Sequence, residues 1–302
     1  MNINLIGVPI NYGCDRQGAE QGPSILRANH MIDLIKDSKY KVYDLGDITI
    51  PKVSVEDKYI GHSHMKYLDP IIEINTNLAE EVYTSLKADN FPFIIGGDHC
   101  LGMGSIAGAA RNFNELAVIW VDAHGDINTD KTSPSGNIHG MPLAASMDVG
   151  HSSLTNLYFE GQKVKPENVY IIGARDLDPG ELQLSKDLNL NLYTMDIINK
   201  KGLKQVLDEV ILKVKASNVD GVHLSFDIDV LDKSLVPGTG TAVSEGFELE
   251  EGKLVLGKLL GEGFVASMDF VELNPLLDDE DGKTTKACLE LIQHIFNVLV
   301  LK

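Results

Sequence analysis

Eight short runs of apolar and β-branched residues recur along the chain, and stretches with the three- and four-residue apolar spacing of amphipathic helices lie between them. This alternation predicts a parallel β-sheet covered by helices. The predicted strands span residues 2–8, 41–45, 92–95, 117–121, 168–172, 190–194, 221–226 and 264–270, and the predicted helices span residues 23–35, 70–87, 203–215, 248–260 and 284–299. Periodicity leaves a closed barrel and an open sheet as alternatives. No change in composition separates two halves, so residues 1–302 are expected to form a single domain.

The net charge limits which binding partners are expected, and the cysteine content indicates the cellular compartment. With 26 basic and 44 acidic residues the formal net charge is −18, which argues against nucleic acid and membrane surfaces as partners and would attract a cationic small molecule. The N-terminal segment lacks the basic region of a signal peptide, and no apolar run approaches the roughly 18 residues of a membrane helix. The three cysteines form no CxxC pair, which fits a reducing cytoplasm.

Three clusters of metal-ligand residue types follow predicted strands. Asp122, His124 and Asp126 alternate after one strand, which in extended backbone would place all three side chains on one face. Asp227 and Asp229 end a second strand in the same alternation, and His99 follows paired glycines at the end of a third. Because the carboxyl ends of parallel strands meet at one edge of a sheet, we expect the three clusters to converge.

The charges of these clusters predict a metal centre. Four carboxylates brought together without cations would repel one another severely, whereas two divalent ions would balance their four negative charges. The predicted ligands are two imidazoles and four carboxylates, namely His99, Asp122, His124, Asp126, Asp227 and Asp229. A donor set rich in oxygen favours two Mn²⁺ ions per chain over zinc, with iron and cobalt as alternatives.

The order of these motifs resembles that of the arginase family of ureohydrolases. The matching segments are residues 96–99, 122–128 and 225–229, together with Gly7-Val8-Pro9 and residues 22–27 near the N-terminus. The resemblance covers nearly the whole chain. It implies a three-layer α/β/α fold with an open, mainly parallel eight-stranded sheet, and a homo-oligomer, either a trimer or a hexamer.

The resemblance also implies roles for individual residues. Asp122 and Asp227 would bridge the two metals, with His99 and Asp126 completing one site and His124 and Asp229 the other. Asp126 and His139 would transfer protons, and Glu272 would pair with a guanidinium group. Thr241 is a further candidate for contact with the substrate.

The family hydrolyses several guanidino compounds, and a long polar loop narrows the choice. Residues 135–140 resemble the arginase loop that holds an α-carboxylate, for which Asn128, Ser135 and Asn137 would be neutral donors. Residues 173–181 resemble the segment that holds an α-amino group, with Asp178 and Glu181 as the candidates. Agmatine has no α-carboxylate, so hydrolysis of L-arginine to L-ornithine and urea is the favoured reaction.

Three alternatives and several departures from the family pattern remain. The alternatives are an agmatinase or other guanidino hydrolase, a metal-binding relative without activity, and a dimetal phosphoesterase, which would lack a basic phosphate clamp. Lys233 stands where the family usually has proline, Ala242 follows Thr241 where proline is common, and Ser244-Glu245 replaces a glycine pair. His62 and His64 have metal-like spacing, but a solvated loop is the preferred interpretation.

Overall fold

A computed structural model describes residues 2–35 and 39–301, and these contain one eight-stranded parallel sheet. The strand order is β2-β1-β3-β8-β7-β4-β5-β6, with every neighbouring pair parallel. The strands are β1 (Asn2–Val8), β2 (Val42–Asp47), β3 (Asn90–Gly96), β4 (Leu116–Val121), β5 (Val169–Ile172), β6 (Asn191–Tyr193), β7 (Gly221–Asp227) and β8 (Val265–Val271). Since β2 and β6 form opposite edges, the sheet is open.

Helices cover both faces of this sheet. In the described residues they are α1 (Gly22–Ala28), α2 (Met31–Ile35), α3 (Leu68–Lys87), α4 (Gly102–Ala110), α5 (Pro142–Ser146), α6 (Ser152–Thr155), α7 (Pro179–Asp187), α8 (Met195–Lys201), α9 (Leu203–Ala216), α10 (Leu249–Gly261) and α11 (Lys283–Val298). Alternate residues of β3 enter two separate apolar cores: Phe93 belongs to the core that includes residues of α9, α10 and α11, and Ile94 belongs to the core that includes residues of α3 and α4. The three-layer prediction is therefore confirmed.

The predicted helix over residues 23–35 is divided in two. α1 ends at Ala28 and α2 begins at Met31 because His30 adopts a left-handed backbone with φ of +64°. A right-handed helix cannot continue through such a residue. The apolar spacing on either side of the break is the same, which is why the pattern did not reveal it.

α4 was not predicted because it has no polar face. Its residues from Gly102 to Ala109 are all buried, so its sequence lacks the apolar periodicity of a surface helix. A Cβ atom at Gly104 would lie 2.5 Å from the carbonyl oxygen of Asn75, and one at Gly108 would lie 2.4 Å from that of Ala79. The glycines thus allow the backbones of α3 and α4 to approach closely.

None of the helices in the described part of the chain combines the length and the apolar character that crossing a bilayer requires. The three cysteines are all buried free thiols. The strands that carry the metal-ligand motifs, β3, β7 and β4, lie at the centre of the sheet together with β8. Their carboxyl ends therefore form one continuous region in which a site can be built.

Candidate active site

The candidate site lies where these four central strands end. His99 begins a short 3-10 turn three residues beyond β3, Asp122 directly follows β4, and Asp227 is the last residue of β7. Glu272 directly follows β8. All four side chains are almost inaccessible to solvent. The motifs therefore meet at one edge of the sheet, as the sequence predicted.

The backbone that brings the second motif together is not the expected extended strand. β4 ends at Val121 and the chain bends through residues 122–124, after which Asp126 adopts a left-handed φ of +52°. Asp229 likewise lies in a 3-10 turn that follows β7. The carboxylates converge because the chain turns around the site, so the prediction of simple alternation was wrong beyond the strand ends.

His99 is the centre of the first cluster. Its Nδ1 atom lies 2.9 Å from Asp122 Oδ2, 3.2 Å from Asp126 Oδ2 and 3.2 Å from Asp227 Oδ2. One nitrogen and three carboxylate oxygens, all buried, thus face a common point. These are the four residues predicted for one metal.

His124 is the centre of the second cluster, which shares Asp122 with the first. Its Nδ1 atom lies 3.3 Å from Asp122 Oδ1 and 3.1 Å from Asp229 Oδ2. The two oxygens of Asp122 therefore face different imidazoles, which is the arrangement that a bridging carboxylate requires. Asp227 Oδ2 faces His99, while its Oδ1 accepts a hydrogen bond from the backbone N–H of Asp229 at 2.8 Å.

The donor set fits two divalent ions. The ligand atoms of His99, Asp122 and Asp227, and those of Asp122, His124 and Asp229, lie within 4.8 Å of one another in each group. His99 Nδ1 is buried but has no hydrogen-bond partner among the described residues, although three carboxylates surround it. A nitrogen lone pair and carboxylate oxygens that converge in this way are suited to hold a metal ion.

Burial and mutual charge perturb the acid–base groups of the site. Burial and the negative charge of Asp122 raise the pKa of Asp126 to about 6. Burial and the neighbouring carboxylates of Asp229 and Asp122 raise the pKa of Asp227 well above its ordinary value. Burial opposes the charged form of His99, but the surrounding carboxylates still raise its pKa well above the usual range. All three pKa values are raised because the clustered negative charge favours the protonated form of each group.

A buried polar network supports His99 from the side opposite the carboxylates. The imidazole stacks on Trp120 with ring centroids 3.9 Å apart, and the indole N–H donates to Asp122 Oδ2 at 3.0 Å. His99 Nε2 lies 2.7 Å from Ser225 Oγ, whose hydroxyl in turn donates to Asp269 Oδ2 at 3.5 Å. These contacts fix the plane of the ring and direct Nδ1 toward the acidic cluster.

Asp269 links this network to the interior of the sheet. Its Oδ2 accepts from Ser105 Oγ at 2.6 Å and lies 3.0 Å from His223 Nε2, and His223 Nδ1 lies 2.8 Å from Ser267 Oγ. All of these side chains are completely buried. Sequence reasoning missed them because Ser225 and Asp269 are distant along the chain, and only the β7–β8 register makes them neighbours.

The remaining predicted residues come together around one cleft above the acidic clusters. Asp122 and Asp229 lie beneath it, and the other predicted residues line it: His99, His124, Asp126, Asn128, Ser135, Asn137, His139, Asp178, Glu181, Asp227, Thr241 and Glu272. Thr241 Oγ1 donates to Asp229 Oδ2 at 3.0 Å, which fixes that carboxylate from the side of the cleft.

The two segments predicted to recognise the substrate contact each other. Asn128 Nδ2 donates to Asp178 Oδ2 at 2.8 Å. Glu181 accepts from the backbone N–H of Asp178 at 2.9 Å and from that of Ile127 at 3.1 Å. Burial raises the pKa of Glu181 to about 7, against these two hydrogen bonds, which lower it. Glu181 therefore holds the two segments in register as well as lining the cleft.

Glu272 and His139 lie on the opposite wall of the cleft. Glu272 Oε1 accepts from the backbone N–H of His99 at 2.8 Å and lies 3.4 Å from His139 Nδ1. Its Oε2 is buried and has no hydrogen-bond partner among the described residues. Glu272 also adopts a left-handed φ of +71°. An unpartnered carboxylate oxygen that faces a cleft is available to a cationic group.

His62 and His64 are not in a simple solvated loop, which corrects the expectation for this segment. Both are partly buried. His62 Nδ1 accepts from the backbone N–H groups of His64 and Met65, and His64 Nε2 lies 2.9 Å from the carbonyl oxygen of Ser133. The segment therefore packs against the polar loop that begins at Ser133.

Two of the departures beside the third motif, Lys233 and Glu245, make backbone hydrogen bonds in this region. Glu245 adopts a left-handed φ of +63°, a conformation that glycine adopts more readily. Its backbone N–H donates to Asp232 Oδ2 at 2.6 Å, and the backbone N–H of Lys233 donates to the carbonyl of Val243. Arg175, for which no role was predicted from the sequence, donates to the carbonyls of Asp229, Val230, Leu231, Val243 and Ser244. The guanidinium thus clamps the third motif to this loop.

Comparisons with known proteins give a consistent result. Residues 1–297 match the sequence pattern of the arginase family. An arginase of Bacillus subtilis (strain 168) is 43% identical over 299 residues, which is 99% of each chain. The native structure of Bacillus caldovelox arginase has a TM-score of 0.92 at 40% identity and covers 98% of each chain. The structure of Entamoeba histolytica arginase in complex with L-ornithine has a TM-score of 0.89 at 32% identity, again over 98% of each chain.

Proposed function

Because this chain belongs to the arginase family, we propose that it hydrolyses L-arginine to L-ornithine and urea. The single observation that carries the mechanism is the shared carboxylate of Asp122, whose two oxygens face His99 and His124. The family supports the assignment to a hydrolase of amidine C–N bonds, and none of these comparisons favours an agmatinase.

We propose that the two clusters hold two Mn²⁺ ions per chain. His99, Asp122, Asp126 and Asp227 would hold one ion, and His124, Asp122, Asp227 and Asp229 the other. The proposed ligands are four carboxylates and two imidazoles, and a donor set with more oxygen than nitrogen favours Mn²⁺ over zinc. When bound, such ions supply a hydroxide nucleophile near neutral pH by lowering the pKa of water.

The remaining side chains bind the guanidinium group and move protons. Glu272 Oε2, buried and without a hydrogen-bond partner among the described residues, pairs with the guanidinium and holds its carbon over the acidic clusters. A carboxylate oxygen of Asp126 accepts a proton from the attacking nucleophile as the tetrahedral carbon collapses. His139, whose Nδ1 faces Glu272, would transfer protons to the leaving amine or to bulk solvent.

The polar end of the cleft selects an amino acid. Asn128, Ser135 and Asn137 provide neutral donors for an α-carboxylate, and Asp178 provides a partner for an α-ammonium group. The Asn128–Asp178 hydrogen bond supports this assignment because it holds the two recognition sites side by side. The α-carboxylate and the α-ammonium group of an amino acid are likewise adjacent, since both are attached to the same carbon. Agmatine would leave the carboxylate donors unpaired, which disfavours it as a substrate.

The organisation of the protein is also part of the proposal. We infer a single catalytic domain over residues 1–302, of which positions 1, 36–38 and 302 lie outside the described residues. A cytoplasmic homo-oligomer, a trimer or hexamer, is the expected form. A non-catalytic relative would have no use for His139 beside Glu272, and a dimetal phosphoesterase would need a basic clamp that the recognised motifs lack.

Urea release tests this proposal. The metal-stripped protein should release no urea from L-arginine, and Mn²⁺ should restore activity better than Zn²⁺. The Mn²⁺-loaded protein should hydrolyse arginine in strong preference to agmatine. Faster hydrolysis of agmatine would contradict the assignment of the residues around Ser135 and Asp178, and full activity after chelation would contradict the metal centre.

A further inference from the structure

A segment outside all of the family motifs supports the polar loop at the amino-acid end of the cleft. His64 Nε2 lies 2.9 Å from the carbonyl oxygen of Ser133, and the backbone N–H of Lys66 donates to the carbonyl of Gly136 at 3.0 Å. Gly136 has a φ of +71°, and a Cβ atom there would lie 2.1 Å from the carbonyl oxygen of His64. Residues 64–66 and the loop therefore form one closely packed unit.

Lys66 makes the contact that bears on recognition. Its Nζ donates to Asn137 Oδ1 at 2.8 Å and lies 3.0 Å from Asp15 Oδ2. The side chain is only 15% exposed. On the other side of the amide, Asn137 Nδ2 donates to the carbonyl of Cys14 at 3.0 Å. The lysine ammonium can only donate and the Cys14 carbonyl can only accept. The Asn137 amide must therefore direct its oxygen toward Lys66 and its NH₂ group toward Cys14, which permits only one orientation.

The charge of Lys66 has a second effect. The chain has a net charge of −18, and its cleft contains Asp126, Asp178 and Glu272, which would repel a substrate carboxylate. The cavity beside Asn137 is lined by Lys66 and Arg16 as well as by Asp15. A partly buried ammonium that polarises the Asn137 amide makes the remaining amide N–H of Asn137 a better donor to an anion.

We propose that Lys66 is a positioning residue for recognition of the substrate's α-carboxylate, acting through Asn137. This inference rests on the proposed function, in which Asn137 binds that carboxylate. Lys66 lies in none of the segments that match the family motifs. With Lys66, the carboxylate-binding site contains a cationic side chain in addition to its neutral donors.

The test compares Lys66→Met with two variants. Lys58→Met is the matched control, because Lys58 Nζ also binds Asp15, at 2.9 Å, but has no contact with Asn137 among the described residues. Lys66→Arg retains the charge and should restore part of the function. Metal content and the thermal unfolding temperature are measured on each protein, so that a general loss of structure is recognised.

The readout is binding of L-ornithine and of 1,4-diaminobutane, which lacks the α-carboxylate, to the Mn²⁺-loaded proteins by calorimetry. Lys66→Met should weaken ornithine binding about tenfold, consistent with the loss of a charge-assisted hydrogen bond. Binding of 1,4-diaminobutane should change less than twofold, and the KM for arginine should rise about tenfold with kcat nearly constant. Lys58→Met should leave all of these values near wild type.

Two results would overturn the inference and can be told apart. If Lys66→Met weakened the binding of ornithine and of 1,4-diaminobutane equally, Lys66 would have only a structural role. If it weakened the binding of neither, Lys66 would have no role in recognition. In both cases the proposed function would stand. If the wild-type protein bound ornithine no more tightly than 1,4-diaminobutane, the cleft would not recognise a carboxylate, and the proposed substrate and the role of Lys66 would both be wrong.

Discussion

Replacement of Ser225 by alanine tests how the buried network controls the metal centre. The hydroxyl oxygen lies 2.7 Å from His99 Nε2, and both side chains are buried. With a metal bound at Nδ1, Nε2 would carry the ring proton and donate it in a hydrogen bond to Ser225 Oγ, whose own hydroxyl donates to Asp269. Ser225→Ala removes that acceptor without removing any ligand.

The size of the effect follows from the burial of this contact. A buried donor left without a partner costs about 1–3 kcal/mol. Supporting hydrogen bonds to metal-bound histidines typically contribute about 10- to 100-fold to metal affinity, or about 1.4–2.7 kcal/mol. We therefore expect one of the two metals to bind 10- to 100-fold more weakly, whereas the site that contains His124 should change little.

Competition with a chelator measures the two metal affinities, and unfolding of the metal-free protein measures stability. Ser267→Ala is the matched control, since Ser267 belongs to the same network but contacts His223 and not His99. It should alter metal affinity by less than about threefold. If Ser225→Ala held both metals as tightly as wild type, orientation of His99 by Ser225 would be refuted. If both variants lost affinity equally, the effect would be one of general packing.

Two further predictions concern catalysis and acid stability. His139→Asn should lower kcat about 100- to 10,000-fold with metal content unchanged, and a rise in KM alone would show that His139 only anchors the loop. Hydrogen bonds from Ser234, Gly246 and Glu245 lower the pKa of Asp232 to about 2, below its ordinary value of 3.8. Asp232 therefore stabilises the fold above about pH 4, and this contribution is lost as the pH falls toward 2. Because solvent screens this partly exposed carboxylate, Asp232→Ala should reduce the free energy of unfolding by only about 1 kcal/mol at pH 7, and urea titrations at lower pH should show the difference shrinking.

The sequence predicted the sheet and the clustering of the candidate metal ligands because both depend on local patterns. Most of the strands are short apolar runs, and parallel strands present their carboxyl ends on the same side. His99, Asp122 and Asp227 could therefore be assigned to one edge before any contact was known. Periodicity could not choose between barrel and open sheet, because that choice depends on whether β2 and β6 pair with each other.

The supporting residues could not be predicted because their roles arise from strand register and loop packing. Ser225 pairs with Asp269 across β7 and β8, which are separated by the whole of α10. Lys66 reaches Asn137 across 71 positions of sequence. α4 escaped detection for a related reason, since a helix buried on every side has no polar face to mark its period.

The backbone at the site indicates how its geometry is maintained. Asp126 and Glu272 both have positive φ values, a conformation that costs an ordinary residue about 1–3 kcal/mol. The surrounding chain holds each in place: the carbonyl of Asp126 accepts from Leu143 N–H at 3.0 Å, and the N–H of Glu272 donates to the carbonyl of Gly97 at 2.9 Å. The two carboxylates to which we assign contact with the substrate are therefore positioned by tertiary contacts of the protein itself. For this reason, loss of a supporting contact should change affinity and turnover before it changes the fold.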